Sequence, residues 1–516
     1  MAETPNPPVR NSRLWPFAVA AVVCVLLYSI HLYDCQQSPL QYMDAVYVNS
    51  DMHANLFWAK GIRDQGWLNP VPYHPWANWM RDIAPYSQWL KWWGGEQVFQ
   101  QSPLYAYVMS VILPHYFLLR VLQALLHVGT CMFLGLLTNR LAGSTAGWIA
   151  FWLAALYAPF YAYSWPYLRD GLGWFLTAAT LWALTELTES DWREERTRRL
   201  ASITGVLLGV GYLARETFLL LIPLTWFALC LFAWKRQQWG VMARVVIATV
   251  FAVSPLMVRN LAVHAPLLSS SNRSAEVFIL GNAYSSSPTE LQFPVETGPI
   301  FQKTNGRTLA VIWATIESHP NGLWGWLNLQ GKKALSLLDP FESPDNLSMY
   351  FVATISPVVR FGLKYWMILV PGLAGVLLSA WRREPAEMWL WIFLPVVVAS
   401  VFIGVPTSRY RQSLMIFFIP FAACFVAWLW SRLREREYPK VAFVAAALLA
   451  GWGLVLGPFA RQPRGQYERA AEYLMAGWVY QQLGDEQRSK EMLDLVRRRF
   501  PETKLPSSSE PAINAR

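Results

Sequence analysis

The chain has 516 residues, of which 54% are hydrophobic and 15% charged, with a mean hydropathy of +0.24. Soluble proteins average about 45–50% apolar and about 25% charged residues, which excludes the string of soluble domains that the length alone would suggest. A formal net charge of +10 has to be read first as membrane topology and only then as a footprint for a polyanion.

The first apolar run, Trp15–Leu32, follows Arg10 and Arg13 and leads into Tyr33-Asp34-Cys35 with no small-residue cleavage site, so it reads as a signal anchor. Runs of about 20 apolar residues span a hydrocarbon core. Eleven segments fit: 14–32, 116–138, 144–163, 170–187, 199–213, 217–234, 241–258, 357–381, 386–404, 412–430 and 440–458. With the N-terminus inside, the cytoplasmic side collects sixteen basic residues, among them Arg10, Arg13, the Arg193–Arg199 cluster and the Arg432–Lys440 cluster. The short opposite loops hold only four, Arg169, Arg215, Arg409 and Arg411. The positive-inside rule therefore accounts for most of the charge, and a nucleic-acid partner drops out.

Ser102–Leu113 is too short to span and reads as a half-buried helix on the outer face. Long outer loops are expected over 33–115 and 259–356. The five cysteines lie mostly in apolar runs without metal-ligand spacing and read as packing residues. At the C-terminal end, Tyr473, Gly477, Tyr480, Leu493 and Pro501 fall near the marked positions of one tetratricopeptide unit, with Leu483-Gly484-Asp485 as its turn. One unit cannot bury a core alone, so a helical pair resting on the bundle is an equal reading. The domain expectation is a membrane domain over 1–458, the helical pair over 459–503 and a disordered tail over 504–516.

Acids in the first outer loop (Asp51, His53 beside it, and Asp82) are the candidate catalytic groups, and its many tryptophans read mostly as an aromatic belt. Arg215, Arg259, Arg409 and Arg411 stand on the outer side against the general trend. Arginine at the hydrocarbon boundary is costly and marks a functional site by default, and a guanidinium suits phosphate. Asp170, Glu342 and Asp345 are further acids at that face; the last two lie in the stiff turn Pro340–Asn346.

The stretch Ser50–Arg63 followed by Gly66-Trp67 resembles the first outer loop of GT-C membrane glycosyltransferases, a group that includes protein mannosyltransferases, aminoarabinose transferases and bacterial relatives of glycosyltransferase family 39. Further elements are similar in order: Ser102-Pro103-Leu104-Tyr105, Tyr163–Leu172, Leu213-Ala214-Arg215 with Pro223, Pro255–Asn260 with Gly281-Asn282, and Tyr410-Arg411. The series covers about 400 residues of the 516. One departure stands out. Gln100-Gln101 occupies the place where aminoarabinose transferases carry Glu-Lys, so neither an acidic metal ligand nor a phosphate-binding cation is present there.

The resemblance implies an all-α polytopic fold, a GT-C-like bundle of about eleven spans. It implies an inverting transfer of a sugar from a polyprenyl-phosphate donor to a lipid, glycan or protein acceptor. Asp51 would be the general base, and the donor phosphate would lie on Arg215, Arg259, Arg409 and Arg411. It also implies a bacterial inner-membrane setting with the site and C-terminus outside. A divalent metal is compatible with the sequence but not required by it, and the C-terminal helices offer a face for a protein partner. The rival readings are a transporter or flippase of lipid-linked glycans and an oligosaccharide ligase or polymerase. A transporter would place charge near the bilayer midplane on paired broken helices, whereas here the charge gathers at one face.

Overall fold

The computed structural model describes residues 14–47, 50–457 and 469–503. In chain order the helices that matter are α1 (Leu14–Gln36), α2 (Asp51–Gln65), α3 (Leu104–Ile112), α4 (Tyr116–Ala142), α5 (Ser144–Ala155), α6 (Ala158–Ser164), α7 (Asp170–Glu189), α8 (Glu195–Ala214) and α9 (Phe218–Arg236). They continue with α10 (Trp239–Ala262), α11 (Ser274–Asn282), α12 (Leu323–Ser336), α13 (Tyr365–Arg382), α14 (Met388–Ile403), α15 (Ser408–Arg434), α16 (Tyr438–Leu456), α17 (Ala470–Gln482) and α18 (Glu486–Arg499). Among the described residues there is no strand, only an isolated bridge between Tyr157 and Leu363. The chain is all-α and polytopic.

Among the described residues, eight helices are long and apolar enough to cross a membrane: α1, α4, α9, α10, α13, α14 with its leading turn, α15 and α16. The count of eleven is therefore not reproduced. The expected span 144–163 is divided, because the Ala158 N–H bonds to Leu363 O at 2.9 Å and the Leu363 N–H to Leu156 O at 2.8 Å, and Pro159 opens the next turn. Helices α7 and α8 exist over the expected ranges but carry Asp170, Glu186 and Glu189, and Arg196, Arg198 and Arg199, at their ends. Their polar termini lower the apolar content below that of the other eight.

Small residues let the helices approach. A Cβ on Gly205 of α8 would lie 2.3 Å from Val245 O, and one on Gly209 would lie 2.6 Å from Ala252 Cβ, both on α10. Without a hydrophobic drive between helices in lipid, such close backbone packing is what holds them together. The most buried of the candidate spans is α15, whose Leu414–Phe425 stretch packs on α13, α5 and α4.

Above the bundle the two outer loops fold against each other. Trp89, Trp92 and Trp93 are buried together with Met80, Ile279 and Phe301, forming a second small core outside the span. The aromatic-belt expectation is corrected for these three, since their rings face protein. Helix α3 lies on α2 through Tyr105, Met109, Leu56 and Ala59, as expected for a short outer-face helix.

Charge separates along the bundle. Asp170 begins α7, while Glu186 near its other end pairs with Arg140 at 2.6 Å. Arg432 and Arg434 close the 27-residue helix α15, which opens with Arg409 and Arg411. At 1.5 Å per residue these ends are about 30–40 Å apart. The basic clusters and the outer arginines thus occupy opposite ends.

Candidate active site

Helix α2 starts where Ser50 Oγ accepts the His53 N–H at 3.2 Å, leaving Asp51 as its first residue. The Asp51 N–H has no intrahelical acceptor and donates to Asn346 Oδ1 at 2.7 Å, while Asn346 Nδ2 reaches back to Asp51 Oδ2 at 3.4 Å. The second carboxylate oxygen accepts from Gln101 Nε2 at 3.3 Å. Its side chain remains 26% exposed into a cavity of about 610 Å³. Gln101 thus orients the carboxylate from the place where the sequence departs from the Glu-Lys pattern.

Arg409 sits beside it. Its Nη2 lies 2.7 Å from Asp51 Oδ2, its Nε 2.8 Å from Asp345 Oδ2, and its Nη1 3.9 Å from Asp170 Oδ2. Asp170 in turn pairs with Arg215 at 2.5 Å, and Arg215 lies over Gly173, where a Cβ would stand 2.6 Å from its Nε. Two more arginines reach the cavity. Arg169 pairs with Glu216 at 2.6 Å, and Arg273 with Glu276 at 2.6 Å. Glu216 also accepts the Ser102 N–H at 2.9 Å, which fixes the Gln100–Pro103 element beside the site.

Burial pushes the Asp51 carboxyl up, but Arg409, Arg273 and Arg169 more than offset it and hold the group below the ordinary carboxylate range. Asp345 moves the other way: burial, with the neighbouring Asp51 and Asp170, raises it despite Arg409. Two adjacent carboxylates are thereby pushed apart in acidity, a pattern that accompanies acid–base sites.

The cavity also has an apolar lining. Leu219 and Leu220 of α9, Val396 and Val401 of α14 and Ile416 of α15 form it. Leu219 and Leu220 are exposed on a candidate span, so part of the apolar lining also lies at the surface of the bundle. Tyr73, Trp76 and Trp79 line the outer rim.

Of the residues singled out from sequence, Asp51, Arg215, Asp345 and Arg409 line one cavity, with Asp170 directly behind them. Others lie elsewhere. Arg259 is 2% exposed and donates to Leu68 O at 2.9 Å, Gln97 O at 2.7 Å and Asn69 O at 2.7 Å, with its guanidinium 3.9 Å over the Phe99 ring. Arg411 donates to Asp339 O at 2.8 Å and to Phe341 O, and pairs with Glu342 at 3.1 Å. Both arginines fasten outer-loop backbone and stand outside the cavity lining. Glu342 is 1% exposed beneath Arg411 and Ser408. His53 is buried against Phe57 with Nδ1 3.0 Å from Ala45 O, and burial lowers its basicity. Asp82 is exposed on the short helix Asn78–Ile83, away from the cavity lining.

Sequence reasoning missed Arg273, Asn346 and Gln101 as site residues. Arg273 lay in the long loop outside the short-loop count, and Asn346 was visible only as a turn residue. Arg169 carried the same against-the-trend signal as Arg215 but was not followed.

The residues do not fit a divalent metal. Asp51, Asp345 and Asp170 address three nitrogens of one guanidinium, and Glu216, which also lines the cavity, is paired with Arg169. Among the described residues no group of three His, Cys, Asp or Glu side chains is arranged to hold an ion.

Comparison with solved structures returns archaeal oligosaccharyltransferase structures and ArnT. The chain is similar to the Archaeoglobus fulgidus oligosaccharyltransferase AglB in complex with an inhibitory peptide and a dolichol-phosphate, at 15% identity over 96% of this chain and 61% of that one, with a TM-score of 0.48. It is similar to the apo form of the Archaeoglobus fulgidus oligosaccharyltransferase at 16% identity over 97% of this chain and 61% of the other, with a TM-score of 0.45. ArnT from Cupriavidus metallidurans bound to undecaprenyl phosphate aligns at 13% identity over 94% of this chain and 73% of that one, with a TM-score of 0.44. The chain spans about three fifths of the length of the archaeal structures, 61%. No family model and no curated protein matches.

Proposed function

We propose that the chain is a membrane glycosyltransferase that moves a sugar from a polyprenyl-phosphate donor to an acceptor hydroxyl at the outer face of a bacterial inner membrane. The observation that carries this reading is a single cavity with two kinds of lining. Part of the lining is the Asp51 carboxylate among arginines, and part is apolar, supplied by α9, α14 and α15. An amphiphile with a phosphate head and a hydrocarbon tail fits that division.

In the proposed reaction the acceptor oxygen attacks the anomeric carbon, the carbon–oxygen bond to the phosphate breaks with inversion, and the acceptor proton passes to Asp51. The arginines hold Asp51 in the ionised form that the step requires. Arg215, Arg169 and Arg273 are each paired with a carboxylate and 13–19% exposed, which suits them to receive the leaving phosphate. Arg409, enclosed by three carboxylates, is assigned to the acid groups rather than to the donor. Arg259 and Arg411 are assigned to the scaffold. The charge at one face of the membrane, not at midplane, favours an enzyme over a transporter.

The test is transfer from a radiolabelled polyprenyl-phosphate sugar in proteoliposomes. Asp51→Asn keeps the Asn346 and Gln101 contacts approximately in place but removes the basic oxygen, so turnover should fall about 10²–10⁴-fold with donor binding retained. Near-normal turnover at matched expression removes Asp51 as the base. Donor movement across the bilayer without transfer would favour the flippase.

A further inference from the structure

The acid cluster around Arg409 invites comparison with a metal centre, because three carboxylates from distant parts of the chain converge on one cation. Asp51 comes from the start of α2, Asp170 from the start of α7 and Asp345 from the second outer loop, and each addresses a different nitrogen of the same guanidinium at 2.7, 3.9 and 2.8 Å. Arg409 is 5% exposed and Asp345 and Asp170 are 6% and 2% exposed, so the arrangement is built into the protein and is not a surface ion pair.

We propose that the Arg409 guanidinium, in place of a divalent ion, is the resident cation of this carboxylate cluster, and that the site works without a bound metal.

Charge balance supports this. Asp170 shares its charge with Arg215, and burial raises the carboxyl of Asp345 toward its neutral form. That leaves Asp51 as the main charge for Arg409 to answer, which a single positive charge does. Geometry supports it too. Hard cations such as Mn²⁺ and Mg²⁺ need several oxygens near 2.0–2.2 Å in near-octahedral array, and here the centre that would offer them is filled by a planar group. The anchoring is rigid: Arg409 also donates to Tyr410 Oη at 2.7 Å and stacks 4.6 Å over that ring. The role of this cation in turnover rests on the transferase reading above; its occupancy of the carboxylate centre does not.

The experiment follows Mn²⁺ by electron paramagnetic resonance on the purified full chain in detergent. The wild type should bind no stoichiometric Mn²⁺. Arg409→Ala should gain one site per chain, because Asp51 and Asp345 lose their shared cation and can close on an ion beside Asp170, and Arg409→Ala combined with Asp345→Asn should lose it. Arg409→Lys keeps a cation in place and should exclude Mn²⁺ as the wild type does. A stoichiometric wild-type site that disappears in Asp51→Asn overturns the proposal. So does a folded Arg409→Ala that binds none; if Arg409→Ala does not fold, Arg409→Gln supplies the neutral variant for the same comparison. None of these readings needs a sugar donor, so a failed transfer assay and a failed cation assignment give separate results.

Discussion

Arg259 shows how far a residue's chemistry underdetermines its role. A guanidinium close to the hydrocarbon boundary is equally suited to a phosphate and to a cluster of backbone carbonyls, because both offer oxygens in a plane. Leu68, Asn69 and Gln97 carbonyls and Asn260 Oδ1 take four of its five N–H donors here, and Phe99 covers its face. Arg259→Ala should therefore lower stability by about 3 kcal/mol or more, since buried carbonyls are left unpaired. The thermal midpoint in detergent should drop while the donor KM of the surviving fraction stays near wild type. An unchanged midpoint with a raised KM would return Arg259 to the phosphate site. Lys333 of α12 is a similar case: it is fully buried against the end of α14, donating to Phe402 O and Gly404 O at 2.8 Å each, and burial lowers its basicity to about 7.

At the scale of elements, the loop 340–348 decides where Asp345 and Asn346 stand. Arg411 and the Ser408 N–H, which donates to Ser343 O at 3.1 Å, hold its first half from α15. The C-terminal pair holds the second half. Arg469 Nη1 donates to Asp345 O at 3.0 Å, and Glu472 of α17 accepts the Ser348 N–H at 3.1 Å. Helices α17 and α18 pack on each other through Gly477, Met492 and Leu493 and on the bundle through Tyr473 against Phe351. These two helices fall within the range 459–503 expected for a helical pair, without establishing a tetratricopeptide unit; residues 459–468 and the tail from 504 lie outside the described residues. Glu472→Ala should reduce kcat several-fold, up to about tenfold for 1.4 kcal/mol of misplacement, without loss of membrane insertion. Glu472→Gln, which keeps an acceptor for Ser348, should recover most of it. If Glu472→Ala leaves kcat untouched, the pair does not brace the loop.

For the molecule as a whole, the separation of charge along α7 and α15 fits one orientation in the membrane. The end with Arg140, Arg196 and Arg432 is assigned inside, and the end with Asp51 and Arg409 outside. Val295 in the second outer loop is 80% exposed, and Glu435 beyond α15 is also exposed. Val295→Cys should react with an impermeant maleimide in intact spheroplasts, whereas Glu435→Cys should react only after permeabilisation. Equal labelling of the two would mean that the ends are not on opposite sides, and the outer-face site would fall with it.

The sequence alone determined the class of the fold, because a 20-residue apolar run has only one economical way to satisfy its backbone in lipid. It also determined the short helix α3 and the start of α2, where Ser50 and Asp51 form a local cap, and it placed the arginines at one face through their conflict with the loop charge pattern. It did not separate α5 from α6, since the bridge that divides them is made with Leu363, about 200 residues further on. Nor did it distinguish Arg215 and Arg409 from Arg259 and Arg411. Those four differ only in which oxygen atoms surround them, and those atoms come from loops and helix ends far away in sequence. Tertiary structure decided the partners, and with them which charges face a cavity and which hold the walls in place.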